Sequence, residues 1–232
     1  MKKIIYVLII CSAFSNRLHA QTPYISLYSG YATGISQTSY LENYTQEYDM
    51  DANREVERMS ETTYSLGQGL NLGGAIGLKV NENLGFELGV NFNKSKSFYG
   101  IESGDAFSDE YAYNEKYKDE ISVTGTMLRF TPSVVYSISA KKWSPYAKFG
   151  LTFGVGQITE EWNSLRSETY DQESYIDEFS SVEEFSGSVS IGFNSTLGVK
   201  VPLTNRISLF GEASITNLSF APNESETTSY ID

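Results

Sequence analysis

The stretch that decides the fold is LGFELGVNFN, Leu84 to Asn93. Leu84, Phe86, Leu88, Val90 and Phe92 are large and apolar, and the residues between them, Gly85, Glu87, Gly89, Asn91 and Asn93, are small, acidic or amide. A period of two describes a β-strand with two unlike faces. The fold then depends on which face meets the core and which meets solvent.

Six other segments alternate in the same way, giving Tyr24–Ile35, Leu66–Val80, Leu84–Phe98, Ile121–Ile138, Tyr146–Ile158, Phe185–Val201 and Arg206–Phe220. Short connections at Asn81-Glu82-Asn83, Ser139 to Pro145 and Pro202 to Asn205 alternate with long ones over 36–65, 99–120 and 159–184. The short ones are rich in residues that suit tight hairpins. This order predicts an up-and-down antiparallel meander with its long loops at one end. The long connections and the tail from Ala221 hold 26 of the 29 acids, so that end is strongly acidic.

The small polar face carries Gly, Ser, Thr and Asn, with about one charge per strand: Lys79, Glu87, Arg129, Lys148, Lys200 and Glu212. A soluble barrel would put large charged residues on its outer face. Small residues with a few charges of mixed sign suit a narrow interior instead, where charges must pair. The apolar face therefore points outward to lipid and the polar face fills a lumen. Backbone groups in lipid must all be satisfied, so the strands must close into a barrel. Each segment has the roughly 9–11 residues that a crossing needs. Trp143, Tyr136 and Tyr146 at the short-turn end, with Trp162, Phe98 and Tyr99 at the long-loop end, are read as interfacial girdles.

The N-terminus reads MKKIIYVLIICSAFSNRLHAQ, with two lysines, an apolar run from Ile4 to Phe14 and a polar stretch to Ala20. Residues 1–20 are expected to be a signal peptide and 21–232 the barrel domain. Ile10, bulky where a lipoprotein signal needs a small residue, argues against lipidation at Cys11. Cleavage removes the only Cys and the only His, leaving 14 basic residues against 29 acidic, a net charge of −15. The mature chain is thus expected to lack thiol and imidazole chemistry, and its charge argues against nucleic acid as a partner.

By its leader, alternating strands, short turns, long polar loops and aromatic girdles, the chain resembles the OmpA/OmpX-like family of small outer-membrane β-barrels over about residues 21–220. The resemblance implies an all-β transmembrane barrel of eight strands in the outer membrane of a Gram-negative cell, with periplasmic short turns and N-terminus and extracellular acidic loops. It implies a monomer without cofactors, acting as a structural or interaction protein. Two alternatives stand beside that reading: a narrow transport barrel for small or hydrophobic solutes, and a secreted soluble barrel that binds a ligand and so needs the opposite face assignment. Seven crossing segments are present where eight are expected, and the chain ends in a polar stretch, APNESETTSYID. The sequence therefore predicts that the native protein continues for roughly 15–30 residues, enough for one more strand.

Three motifs invite chemistry. DMDANREVERMSE, Asp49 to Glu61, opens like a calcium loop with Asp49, Asp51 and Asn53, but has Arg54 where Gly is required and Ser60 where Glu is required. GQGLNLGGAIG, Gly67 to Gly77, lacks the Lys-Ser/Thr of a phosphate loop and opens no helix, so its glycines are read as fitting a tight barrel wall. Glu87 and Glu212 are read as salt-bridge partners rather than catalytic acids. Tyrosines crowd the long connections, as in EYAYNEKYK, Glu110 to Lys118, and ETYDQESYIDEF, Glu168 to Phe179. These read as strands continuing beyond the membrane, with Tyr as rigid contact surface for a partner or as packing within the hairpins.

Overall fold

The computed structural model describes residues 22–34, 39–108, 112–138, 140, 142–170 and 173–231. The expected signal peptide lies outside the described residues, as does Lys141 in the second short turn. Twelve strands form one sheet: β1 (Thr22–Ala32), β2 (Ser39–Asp49), β3 (Arg54–Tyr64), β4 (Gly69–Lys79), β5 (Leu84–Ser95), β6 (Phe98–Ser108), β7 (Tyr113–Ser137), β8 (Ser144–Tyr170), β9 (Glu173–Gly187), β10 (Ser190–Pro202), β11 (Ser208–Leu218) and β12 (Pro222–Ile231).

The short-turn half runs β1-β4-β5-β7-β8-β10-β11, each strand antiparallel to the next. These strands fall on the seven alternating segments. The extra strands come from the long connections, which are not loops. β7 and β8 run on past the alternating region and pair there with β6 and β9. Two expected continuous strands break where they pass from one half to the other. Leu84–Phe98 stops at Ser95 and resumes as β6, and Phe185–Val201 divides into β9 and β10.

The meander has one departure. β2 and β3 form an antiparallel hairpin, but its first strand, not its second, lies beside β6, and β2 and β6 run parallel. The hairpin has swung across the end of the sheet. In that half the order becomes β3-β2-β6-β7-β8-β9-β12.

The faces lie as the alternation requires. On β5, Gly85, Glu87 and Gly89 are buried, whereas Phe86, Leu88, Val90 and Phe92 are exposed. The exposed apolar set continues through Leu70, Leu72, Ile76, Phe130, Phe149, Leu151, Ile191 and Leu197. Thr152, Thr196, Asn93 and Ser133 are buried on the other face. So broad an outward apolar band, surrounding a polar interior, is the reverse of a soluble fold. Among the described residues the sheet is not closed: β1 pairs there only with β4 and β11 only with β10.

Candidate functional site

The lumen of the short-turn half is crossed by one chain of polar contacts. On β1, Tyr24 donates its hydroxyl to Glu87 Oε2 of β5 at 2.9 Å. Lys148 Nζ of β8 lies 2.7 Å from Glu87 Oε1 and 2.7 Å from Glu212 Oε1 of β11. Tyr146 donates to the same Glu212 oxygen at 2.6 Å. The Lys148 side chain is only 10% exposed and that of Glu87 only 7%. One ammonium held by two carboxylates and supported by two phenols is the arrangement a buried charge requires. It also ties β1 and β11, at the two edges of this half, to the middle of the sheet.

The expected network is otherwise incomplete. Arg129 meets no acid among the described residues; its guanidinium donates to the side-chain oxygens of Asn71 and Asn91. Lys79 and Lys200 form no ion pair with an acid among the described residues, and Lys200 instead sits 5.8 Å from the centre of the Tyr24 ring. Parity alone places side chains on a face but not at a common height. The register sets Lys148 opposite Val135 and Thr196, whereas Lys79 pairs with Thr22 at the start of β1.

Three tyrosines were missed as lumen residues. Tyr24, Tyr28 and Tyr146 lie directly opposite Gly77, Gly73 and Gly198 on the neighbouring strands. A Cβ on those glycines would come within 2.2, 2.5 and 2.4 Å of the tyrosine rings. Gly73 and Gly77 of GGAIG are therefore seats for aromatic rings, a cross-strand pairing that pins register. The available signal was parity, because Tyr24 and Tyr28 alternate with Ile25 and Leu27, and Tyr146 has the parity of Lys148.

Two girdle assignments change, Tyr146 by this parity and Phe98 by the break between Ser95 and Phe98, which shifts the alternation by one. Tyr146 faces the lumen. Phe98 is 5% exposed and packs with Leu41 and Val123, bordered by Tyr64, Leu66, Ile121 and Ile158. Trp162 is 43% exposed and meets Phe179 edge-on. Tyr136, Trp143 and Tyr99 are exposed, as an interfacial position requires. The cluster around Phe98 closes the lumen toward the long hairpins with an apolar plug. Leu41 and Leu66, which flank the swung β2–β3 hairpin, are its lid.

Above the plug the inner face continues with Tyr44 and Tyr48 of β2, Tyr117 of β7 and Arg166 of β8. A cleft of about 430 Å³ is lined by Gln46, Tyr48, Glu55, Asp105, Ala106, Glu115, Tyr117 and Arg166. Tyr117 lies flat over Gly104, where a Cβ would be 2.3 Å from the ring. Burial, then the charge of Glu102, raises the Tyr117 phenol above its ordinary value. The hydrogen bond to Glu115 pushes Tyr113 up to about 12. Both phenols are therefore neutral at physiological pH, and Tyr113 donates to Glu115.

The candidate calcium residues are occupied by the β2–β3 turn. Asp49 Oδ1 accepts from Ala52 N at 3.0 Å, Asn53 has φ 47° and accepts from Tyr48 Oη, and Asp51 accepts from Ser108 Oγ at 2.6 Å. Among the described residues, no group of three or more His, Cys, Asp and Glu side chains is placed to hold a metal ion.

The family model described as the outer membrane protein beta-barrel domain matches residues 12–230. No curated protein and no solved structure matches the chain.

Proposed function

The chain belongs to the outer membrane protein beta-barrel family and resides in the outer membrane of a Gram-negative cell, and we propose that it works there as a surface interaction protein, by contact and not by catalysis. The observation that carries this reading is the second half of the sheet. Beyond the apolar band, seven strands stand together, and their inner face presents tyrosines among carboxylates around the Tyr48–Tyr117 cleft. In this reading the long hairpins face outward and the N-terminus lies in the periplasm. The acidic excess of this end favours a partner with basic groups, and tyrosines supply rigid contact area at low entropic cost. The plugged, side-chain-filled lumen supports contact over transport.

The test uses protein held in phosphatidylcholine nanodiscs and titrated with an arginine-rich peptide. Saturable binding is expected, weakened by salt and by the double variant Glu55→Gln/Glu115→Gln, with the unboiled electrophoretic shift unchanged. Peptide binding no greater than that of empty nanodiscs would remove the reading.

A further inference from the structure

We propose that the β2–β3 hairpin is a two-position lid. Turned in, it completes the Tyr48–Tyr117 cleft and seals the Phe98 plug; turned over, with β3 in place of β2 beside β6, it dismantles both at once.

The second position follows from chain order. The β4–β5 ladder ends at Gly69 and Ser95, and from there the chain leads back into β3 and forward into β6. Plain continuation of that ladder lays β3 against β6. Because β2 is parallel to β6 and antiparallel to β3, β3 already runs antiparallel to β6. Exchanging the two strands without reversing them turns the hairpin over by half a turn about its length. Its own ladder of eleven residue pairs, Ser39↔Tyr64 to Asp49↔Arg54, is kept. Both of its faces are polar, so neither orientation buries a distinct apolar set. Antiparallel pairing is slightly the more stable per residue, so the observed position is held by contacts outside the ladder.

Those contacts lie at the two ends of the hairpin. At the tip, Met50 N donates to Phe107 O at 2.9 Å and Ser108 Oγ donates to Asp51 Oδ1 at 2.6 Å. At the base, Asn43 Oδ1 accepts from Ile101 N at 3.2 Å. Leu41 rests over Gly100, where a Cβ would come within 3.0 Å of Glu42 O and 3.1 Å of the Leu41 side chain. The chain pivots at Gly67-Gln68-Gly69. Gln68 N closes a turn on Ser65 O at 2.9 Å, and Gly69 has φ 155°, with a Cβ that would fall 2.1 Å from Lys94 O. The pivot is itself tied down, because Lys96 N donates to Gln68 O at 3.0 Å.

Cleft and plug are coupled because one hairpin supplies both. Gln46, Tyr48 and Glu55 line the cleft, and Leu41 packs in the plug. In the turned-over position the three cleft residues face outward, and Leu41 leaves Phe98 and Val123 uncovered. The device does not depend on what fills the cleft; a ligand held by those three residues selects the inward position.

The full chain with Cys11→Ser is refolded in phosphatidylcholine vesicles, and the fast-migrating unboiled band is verified for every variant. Thr45 lies opposite Ser103, so Thr45→Cys/Ser103→Cys should cross-link. β3 is one strand further from β6, roughly 9–10 Å away and beyond the reach of a disulfide. Ser103→Cys combined in turn with Ser60→Cys, Glu61→Cys and Thr62→Cys should nonetheless cross-link at one of the three, by way of the turned-over position. Plug opening is read separately in a Val123→Cys chain, since Val123 is 2% exposed. A water-soluble maleimide should label it about tenfold faster when Asp51→Ala removes the tip contact. Gly100→Val, which crowds the seat of Leu41 at the other end, should also speed labelling, and both variants should raise cross-linking of Ser103→Cys to β3. Failure of either kind of cross-link to form would overturn the proposal, as would unchanged Val123→Cys labelling in the folded Asp51→Ala and Gly100→Val chains.

Discussion

β3 and β4 are both eleven residues long and follow one another in the chain, yet they obey different rules. β4 sends Leu70, Leu72, Ile76 and Leu78 outward and keeps Ala75 and Gly77 buried. Nearly every residue of β3, REVERMSETTY, is exposed. β4 is held by two solvents, lipid outside and a packed polar lumen inside. β3 is held by its ladder to β2 and by side-chain bonds such as Tyr44 to Glu57. In lipid an unpaired backbone group is prohibitive, so pairing there is strict. In water it is cheap, so a hairpin can swing over the mouth and pair in parallel.

The largest effect is expected where the lumen holds charge. Lys148→Ala leaves Glu87 and Glu212 facing each other without a cation and should destabilise the barrel by about 3–5 kcal/mol. Urea unfolding in phosphatidylcholine vesicles measures it. Adding Glu87→Gln should restore part of the loss; if it deepens the loss instead, the charges do not act as a unit.

A smaller effect separates the two outer surfaces. Leu88 and Ile176 are 44% and 65% exposed, but the first lies in the apolar band and the second on the β8–β9 hairpin. Leu88→Arg should cost about 2–4 kcal/mol. Ile176→Arg should stay within about 0.5 kcal/mol of the parent, as surface changes in water do. Equal costs in the same urea titration would mean that the band does not face lipid.

The contrast also explains what was legible. Where a residue's neighbour is lipid or a narrow lumen, chemistry and parity agree, so the apolar band and the inward set with Glu87, Arg129 and Lys148 could be read directly. Tyr146 was misplaced because aromatic character was weighed above parity, and Phe98 because the break between Ser95 and Phe98 shifts the alternation by one, which the sequence does not announce. The Lys148–Glu87–Glu212 cluster needed register across β5, β8 and β11, which alternation within one strand does not contain. The swing of β2 onto β6 left no trace because both faces of that hairpin are polar, so neither pairing buries a distinct apolar set. The plug was hidden for a related reason: Ile121 and Val123 continue the inward parity of β7 but change its chemistry, and Phe98 joins them only because the break between Ser95 and Phe98 shifts the alternation by one.

The smallest effect tests how loosely the hairpin half is held. Glu160 of β8 lies directly opposite Glu183 of β9. Burial first, and then the Glu183 charge, raise the Glu160 carboxyl above its ordinary 4.5. A carboxyl raised on folding favours the paired state when protonated. Its contribution is therefore fully present below 4.5 and is lost as pH rises through the raised folded value. The β8–β9 ladder should open more readily at pH 8 than at pH 5, which amide hydrogen exchange in β9, corrected for intrinsic rates, can follow. Glu160→Gln removes the repulsion and should strengthen the ladder at pH 8 by roughly 0.2–1 kcal/mol, the range for a like-charge pair facing across two strands. It should also flatten the pH dependence. Because lipid-band amides have no such pair, their exchange should not respond to the substitution. An unchanged pH dependence in β9, or an equal change in β5, would show that the hairpin and the barrel open as one unit rather than as two.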